Sequence, residues 1–335
     1  MTRDITIRDV AVQAQVSIAT VSNTMNRPAR VAAETRARVL EAADRLGYVP
    51  QSLANHRAST ARKRFGVIAP FRAYPSYAAR LNGVLEVLAT ERADAIVLDH
   101  PSASRSPSPR LAALPFSGTV GGLIIMGVPV DTGLSERILD RDLPTVLIDS
   151  SHPRFTSIVL DEAHGARLAA DHLVARGFEH FVYVTEGQVS NDYISQGKKR
   201  LSGFVQALAA HDVSEARVHR ITANAGDIDA GDAAAEHVAA LARETRVGVL
   251  AGHDTLAAGV LAGLRRRGVD MPARVGVIGW DGGAIVEALG LTTIRQPLTE
   301  SGRIGTQRLV SMMRGENTPI DRIVLAPALV EGTTT

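Results

Sequence analysis

Apolar residues recur along this chain with two different periods, and the change from one to the other divides it. Between residues 6 and 50 the period is helical. Ile7, Val10, Ala11 and Ala14 fall at i, i+3, i+4 and i+7, one face of a 3.6-residue repeat, and Thr6 with Asp9 has the spacing of a capping box. Ser17 then stands where a second helix needs its N-cap. In the stretch IATVSNTM that follows, Val21 and Met25 turn inward and leave Ile18, Ala19, Ser22 and Asn23 outward. The outward set is what a recognition helix offers to a major groove. The period alone also fits any small three-helix bundle; the outward set favours a three-helix helix-turn-helix headpiece over residues 1–49.

From Phe65 onward, short β-branched runs alternate with helical stretches. FGVIAP, DAIVLD, GGLIIMG, PTVLID, FVYVT, VGVLAG and VGVIGW read as strands. ARLNGVLEVLATE, GARLAADHLVARG and TLAAGVLAGLRRRG read as helices, the last two closing on Gly177 and Gly268. Such alternation predicts an α/β body, residues 65–335, of parallel sheets flanked by helices, long enough for two lobes. Ligands of open α/β folds sit at the carboxyl ends of strands. Between headpiece and body, PQSLANHRASTARKR (residues 50–64) opens on Pro and ends in a basic cluster, which reads as a linker with one short hinge helix.

Charge sharpens this division. Residues 1–64 hold eleven Lys/Arg against five Asp/Glu, whereas the remainder holds 26 against 30. A local basic excess on the segment that carries the outward-facing helix suits a phosphate backbone, and its affinity should fall steeply with salt. The chain has 335 residues, 45% hydrophobic and 21% charged, without the bias of a disordered or membrane protein. Zero cysteines exclude disulfides, a thiol nucleophile and Cys-based zinc sites. The polar start MTRDITIRD lacks the apolar core of a signal peptide, and no uninterrupted apolar run approaches a membrane span, so the expected compartment is the cytoplasm.

The motifs carry more. DVA, VS-x-ATVS, Asn26, ETR and LGY-x-P at their spacings resemble the headpiece of the LacI (lactose repressor) family of bacterial transcription regulators. The resemblance continues in order through PTVLIDS, SIVLDEAHGARLAADHL, KRLSGFVQAL, HDTLAAG, VGVIGWDG and TTIRQPL. It implies a periplasmic-binding-protein-like body whose first lobe takes residues 65–161 and 293–325 and whose second takes 162–292. It also implies a homodimer on a pseudo-palindromic operator, with a small-molecule effector, a sugar or its derivative, that closes the lobes. The chain stops soon after the last body segment, with no leucine heptad extension of the kind that makes some relatives tetramers. Ile18, Ala19 and Asn23 would read base edges, and Ser17, Thr20 and Ser22 would hold phosphates or cap. In the family the hinge helix enters the minor groove and a Leu wedges open a base step. Leu53 and Ala54 lie in this segment, but Arg57 occupies the family's Leu position, so either Leu53 substitutes or the operator bends less.

For the effector the resemblance points to Asp149, Arg200 and Asp281, whose paired acceptors or donors suit adjacent hydroxyls. Asp254 reads instead as an N-cap. Aromatic residues are scarce, with seven Phe, five Tyr and one Trp. Phe71, Tyr74, Tyr77, Tyr193 and Trp280 fall in loops expected around the cleft, Tyr77 at a helix start, where a sugar ring can stack. His253 stands where many relatives have Asn, which alters the hydroxyl pattern or does the same job as a neutral imidazole.

Enzymatic alternatives find little support. Glycines 276, 279 and 282 do not make G-x-G-x-x-G, no G-x-S-x-G, P-loop or H-E-x-x-H occurs, and the ten His are scattered without metal-ligand spacing. No cofactor is expected. The other alternative, a cytoplasmic sugar-binding protein without operator specificity, shares the body but leaves the headpiece unexplained. The expectation is a DNA-binding regulator, foremost a repressor; the sign of effector coupling is open. Asn23→Ala should relax specificity at one base pair of each half-site. Binding to a panel of single-substituted duplexes checks this, since uniform weakening would make Asn23 a phosphate contact.

Overall fold

The computed structural model describes residues 6–26, 31–46, 64–102, 120–189 and 193–335. They form a small N-terminal unit and a larger one. In the small unit α1 (Ile7–Ala14), α2 (Ile18–Asn26) and α3 (Ala33–Leu46) enclose a core that includes Val10, Ala14, Val21, Val39 and Ala42. The Thr6 amide and hydroxyl both donate to the Asp9 carboxylate, at 2.8 and 2.6 Å, which satisfies the start of α1. Ser17 Oγ accepts the Thr20 amide at 3.1 Å and caps α2. The Met25 side chain and the hinge residues Leu53, Ala54 and Arg57 lie outside the described residues.

The larger unit begins β1 (Arg64–Ala69), α4 (Pro75–Glu91), β2 (Asp94–Asp99), β3 (Gly122–Met126), α5 (Thr132–Leu139), β4 (Thr145–Ile148) and β5 (Thr156–Leu160). It continues α6 (Glu162–Ala175), β6 (His180–Glu186), α7 (Gln196–Ala210), β7 (Val218–Ala223), α8 (Ile228–Leu241), β8 (Val247–Ala251), α9 (Asp254–Arg266) and β9 (Val275–Asp281). Then follow α10 (Ile285–Leu289), β10 (Thr292–Arg295), α11 (Leu298–Met313), β11 (Arg322–Leu325) and β12 (Ala328–Val330). Two six-stranded sheets result, in the orders β11-β5-β4-β3-β1-β2 and β12-β10-β9-β8-β6-β7. All pairings are parallel except β10 with β12. The chain crosses between lobes after β5, after β10 and after β11.

Two expected boundaries shift. β10 pairs with β9, so the second lobe runs through Arg295 and the return to the first lobe falls at Gln296, not at 293. Residues 328–330 also join the second sheet. Arg64, expected in the hinge, is the first residue of β1. The strands β5, β7, β10, β11 and β12 were not among the runs read as strands. β7 (VHRITA) is half polar, as an edge strand facing water can be, and the last two are only four and three residues long.

The inner strands of both sheets are buried on both faces, and the alternation of strand side chains decides which helices each residue meets. Val182 and Val184 of β6 pack under α8 and α9, while their neighbours Phe181 and Tyr183 pack under α6 and α7. In the first lobe Val67, Ile124 and Val146 meet α4 and α11, and Leu123, Ile125 and Leu147 meet α5. α6 and α9 end as their sequences imply, with Gly177 and Gly268 at φ 74° and 66°.

α4 and α11 approach so closely that no Cβ fits between them. One built on Gly83 would collide with the Thr299 carbonyl, and one on Gly302 with the Arg80 carbonyl. Ala in a helix interior ordinarily gains about 0.5–1 kcal/mol over Gly. Here the backbone collision outweighs that gain, and Gly83→Ala should lose about 2–3 kcal/mol, read as a lower urea midpoint by circular dichroism.

Candidate functional sites: an outward helix face and an interlobe cavity

On α2 the side chains of Ile18, Ala19 and Asn23 are exposed together, Ile18 at 45%, while Val21 and Thr24 are buried. The buried pair anchors the helix, and the exposed three share one face. Ser17 Oγ and Thr20 Oγ1 are 2.9 Å apart, and Thr24 Oγ1 donates to the Thr20 carbonyl at 2.9 Å. The hydroxyls at the start of α2 are thus tied into its first turn, with Ser22 half-buried beside them.

Between the lobes lies a cavity of about 390 Å³. Tyr74, Tyr77, Arg80, Ser102, Asp149 and Ser150 line it from the first lobe; Glu186, Tyr193, Gln196, Arg200, His253 and Asp281 line it from the second, with Gln296 at the crossing. It sits where β1, β4, β6, β8 and β9 end, as expected for a parallel sheet. Seven of the nine expected effector residues meet here: Tyr74, Tyr77, Asp149, Tyr193, Arg200, His253 and Asp281.

Two do not. Trp280, expected in a loop, is inside β9 and only 1% exposed, packed in the second-lobe core with the Arg200 guanidinium 4.5 Å above its ring. Phe71 is half-buried against the first-lobe core. Tyr77, too, is in a helix and buried. The scarcity of aromatics made loop positions look functional, but a large ring filling a core position leaves the same trace in sequence.

Electrostatics explain the geometry. Arg200 Nε and Nη2 donate to Glu162 at 2.7 and 3.3 Å, and Nη1 donates to the Gly252 carbonyl at 2.6 Å. Burial pulls this guanidinium down, but Glu162 more than compensates and holds it protonated. These bonds engage three of the five Arg200 N–H groups. Arg80, 1% exposed, donates from Nη2 to Asp149 Oδ2 at 3.2 Å and to Gln296 Oε1 at 3.1 Å. Tyr77 adds a longer hydrogen bond to the same Asp149 oxygen at 3.4 Å. Gln296 Nε2 donates in turn to Asp281 Oδ1 at 2.6 Å, and Gln196 Nε2 to the Asp149 carbonyl at 2.6 Å. Tyr74 bridges the mouth, its hydroxyl bonded to Glu186 and 2.8 Å from Ser102 Oγ.

Asp254 is not the N-cap expected of it. His253 caps α9, its Nδ1 accepting the Leu256 amide at 3.4 Å. Asp254 is the first helical residue, accepts from Thr293 Oγ1 at 2.7 Å and from the Gly283 amide at 2.8 Å, and so fastens β10 and the loop after β9 to the helix. Burial pushes its carboxyl up to about 6 and pulls the His253 imidazole down to about 4. With Nδ1 accepting, the neutral imidazole carries its proton on Nε2.

Sequence reasoning passed over Arg80, Gln296, Glu162 and Gln196. Arg80 had a signal: it falls on the apolar stripe of α4 with Tyr77, Val84 and Val87, where a charge must have a buried partner. Glu162 and Gln296 lie inside quoted motifs without an assigned role. Gln196 follows a cap Ser in a short polar loop and carried no signal.

A helix-turn-helix unit joined to two parallel-sheet lobes that share a polar cavity defines a ligand-responsive DNA-binding protein. Residues 6–51 match the bacterial regulatory proteins of the lacI family, and residues 170–335 match the periplasmic binding protein-like domain. Catabolite control protein A of Priestia megaterium is 29% identical over 332 residues, which cover 98% of each chain. Among solved structures, the lac repressor dimer bound to operator and the anti-inducer ONPF superposes with TM-score 0.68 at 23% identity over 99% of both chains. The complex of transcriptional regulator CelR with cellobiose gives 0.68 at 24%, covering 99% of this chain and 100% of the other. The chain belongs to the lacI family of DNA-binding transcriptional regulators.

The cavity makes one pH effect specific. Burial pushes the Asp281 carboxyl up to about 8, against the pull of Arg200. Between about pH 4 and that value the folded protein keeps a proton that an unfolded carboxylate has lost, so stability falls as pH rises through this window. His253 raises stability with pH until its unfolded imidazole has lost its proton, about a unit above 6.5, so by about pH 7.5 neither it nor Asp254 changes the slope. The urea midpoint, followed on the fluorescence of Trp280, should fall between about pH 7.5 and 8.5 in the wild type and stay flatter in Asp281→Asn. Equal slopes would mean that Asp281 is ionised throughout.

Proposed function

We propose that the protein is a repressor that binds a pseudo-palindromic operator as a homodimer and changes its operator affinity when a sugar, or a sugar derivative, occupies the interlobe cavity. The observation that carries the effector reading is a set of buried polar atoms left without hydrogen bonds in the cavity wall: Asp149 Oδ1, Ser150 Oγ, Gln196 Oε1 and His253 Nε2. Buried polar groups are costly to leave unpaired, and a polyhydroxylated ligand supplies both donors and acceptors to such a set. The CelR complex with cellobiose and the operator-bound lac repressor dimer support the same reading by analogy.

In this reading Ile18, Ala19 and Asn23 contact base edges, Ser17, Thr20 and Ser22 position the backbone, and Leu53, Ala54 and Arg57 belong to the minor-groove hinge. Arg200, Asp281, Asp149, His253 and Tyr193 hold the effector, with Tyr74 and Tyr77 at its edge. Arg80, Arg200 and Asp281 are each held by an ion pair or a hydrogen bond, which suits recognition rather than catalysis, and operator binding suits the cytoplasm. Among the described residues no helix is long and apolar enough to cross a membrane.

Selection of bound duplexes from a random DNA pool at physiological salt, followed by a sugar panel on the selected duplex, tests the whole reading. Enrichment of one palindrome whose binding shifts with a sugar is the expected result, and the direction of the shift distinguishes inducer from co-repressor. Enrichment of no sequence, with or without sugar, would leave a sugar-binding body without operator specificity.

A further inference from the structure

The lobes share one strand order, so positions in one have counterparts in the other: β1 matches β6 and β4 matches β9. The helices that follow β1 and β6 carry Arg80 and Arg200, both buried, at 1% and 8% exposure. The ends of β4 and β9 carry Asp149 and Asp281, both at positive φ, 61° and 114°. Each guanidinium lies over an aromatic ring, Arg80 5.2 Å from the centroid of Tyr77 and Arg200 4.5 Å from that of Trp280. Every family motif that bears on the Arg positions draws attention to Arg200, and none to Arg80.

The first-lobe pair is nevertheless built to take a ligand. Arg80 and Asp149 both line the cavity, and each keeps a buried polar atom without a hydrogen bond, the Arg80 Nε donor and the Asp149 Oδ1 acceptor. A hydroxyl group satisfies both kinds of atom, because it accepts from an N–H and donates to a carboxylate. An anionic group does not suit the pair, since Asp149 already neutralises Arg80 at 3.2 Å and would repel a second negative charge. In the second lobe Arg200 is matched by Glu162, Asp281 and Glu186 add carboxyl groups to the wall, and the further lining cation, Lys199, is exposed to solvent, which screens its charge.

We propose that Arg80 and Asp149 form a first-lobe subsite for a hydroxyl of an uncharged polyol, the positional twin of Arg200 and Asp281, and that Arg80 determines which sugar is accepted. This rests on the cavity being a polyol site. A ligand that satisfies both pairs touches both lobes, so the number of hydroxyls it brings to the first lobe sets how firmly it holds them together.

Arg80→Met would strand a buried Asp149 carboxylate and endanger folding. The test therefore uses Arg80→Lys, which keeps the charge but lacks the Nε–H, and Asp149→Asn, with folding checked by circular dichroism. Ribose, glucose, galactose, sorbitol and cellobiose are titrated calorimetrically into the full-length wild type. Each compound that binds is then compared with its monodeoxy forms on all three proteins. Arg80→Lys is expected to weaken the parent compound by about tenfold or more, and to weaken one monodeoxy form hardly at all, because that form lacks the hydroxyl in question. Unchanged affinity in Arg80→Lys, or an equal loss for the parent and every deoxy form, would make Arg80 structural and overturn the subsite. If the wild type binds none of the five, the polyol reading itself fails, an outcome distinct from a variant that binds as the wild type does.

Discussion

A guanidinium cannot shed its charge inside a protein, so one with 1% of its surface exposed must be paired, and the arrangement of both lobes follows from how Arg80 is paired. Leaving such a charge without a partner costs about 3–5 kcal/mol. Arg80 reaches Asp149 at the end of β4 and Gln296 at the second crossing, and Gln296 passes the connection to Asp281 at the end of β9. A chain of side chains thus runs from the first lobe to the second through the strand that joins them. It is possible only because α4, which carries Arg80, lies against α11, which begins two residues after Gln296. Gly83 and Gly302 are small enough to allow that approach, so two glycines distant from any ligand help to set the geometry of the ligand cavity.

Hydrophobic period reveals uninterrupted apolar runs rather than burial as such: the edge strand β2 (DAIVLD), with no fully buried residue, was read, while the buried β5 (TSIVL) and β10 (TTIR), diluted by Thr and Ser, were not. The central strands β1, β3, β6, β8 and β9 are apolar runs with two buried faces, and each was legible. β7, β11 and β12 lie at sheet edges, where half the residues face water and the runs shorten, so the same signal fades. Lobe membership of Thr293 to Arg295 was not legible at all, because pairing with β9 is a nonlocal fact. In the cavity, charges at strand ends stood out and the partners that hold them did not. Asp281 could be singled out from VGVIGWDG, whereas Gln296 became meaningful only once folding set its amide between Arg80 and Asp281. Trp280 shows the opposite error: rarity drew attention to a residue whose work is to fill the core beneath Arg200.

Backbone conformation marks the same two carboxylates. Asp is among the few residues that visit the left-handed region at modest cost, which suits Asp149 at φ 61°. Asp281 at φ 114° lies beyond that well, and such conformations persist at about 1–3 kcal/mol only where surroundings over-determine them. Here they do: the Gln296 amide donates to the Asp281 carbonyl at 3.1 Å while its side chain holds the carboxyl. One residue therefore fixes both the strained backbone and the side chain of a cavity wall, and it also accepts the hydrogen bond from Arg80.

The lobes are already joined across the cavity by Tyr74 to Glu186, by Gln196 to the Asp149 carbonyl and through Gln296. A ligand entering between them exchanges some of these bonds for its own, so the difference it makes between two lobe arrangements is a balance of few hydrogen bonds, each worth about 0.5–1.5 kcal/mol. Coupling between an effector and a second site typically needs about 1–3 kcal/mol. The two quantities are of the same size, so tight binding is not what switching demands. What matters is which of the existing interlobe bonds the ligand replaces, and a ligand that duplicates them all would bind well and shift nothing.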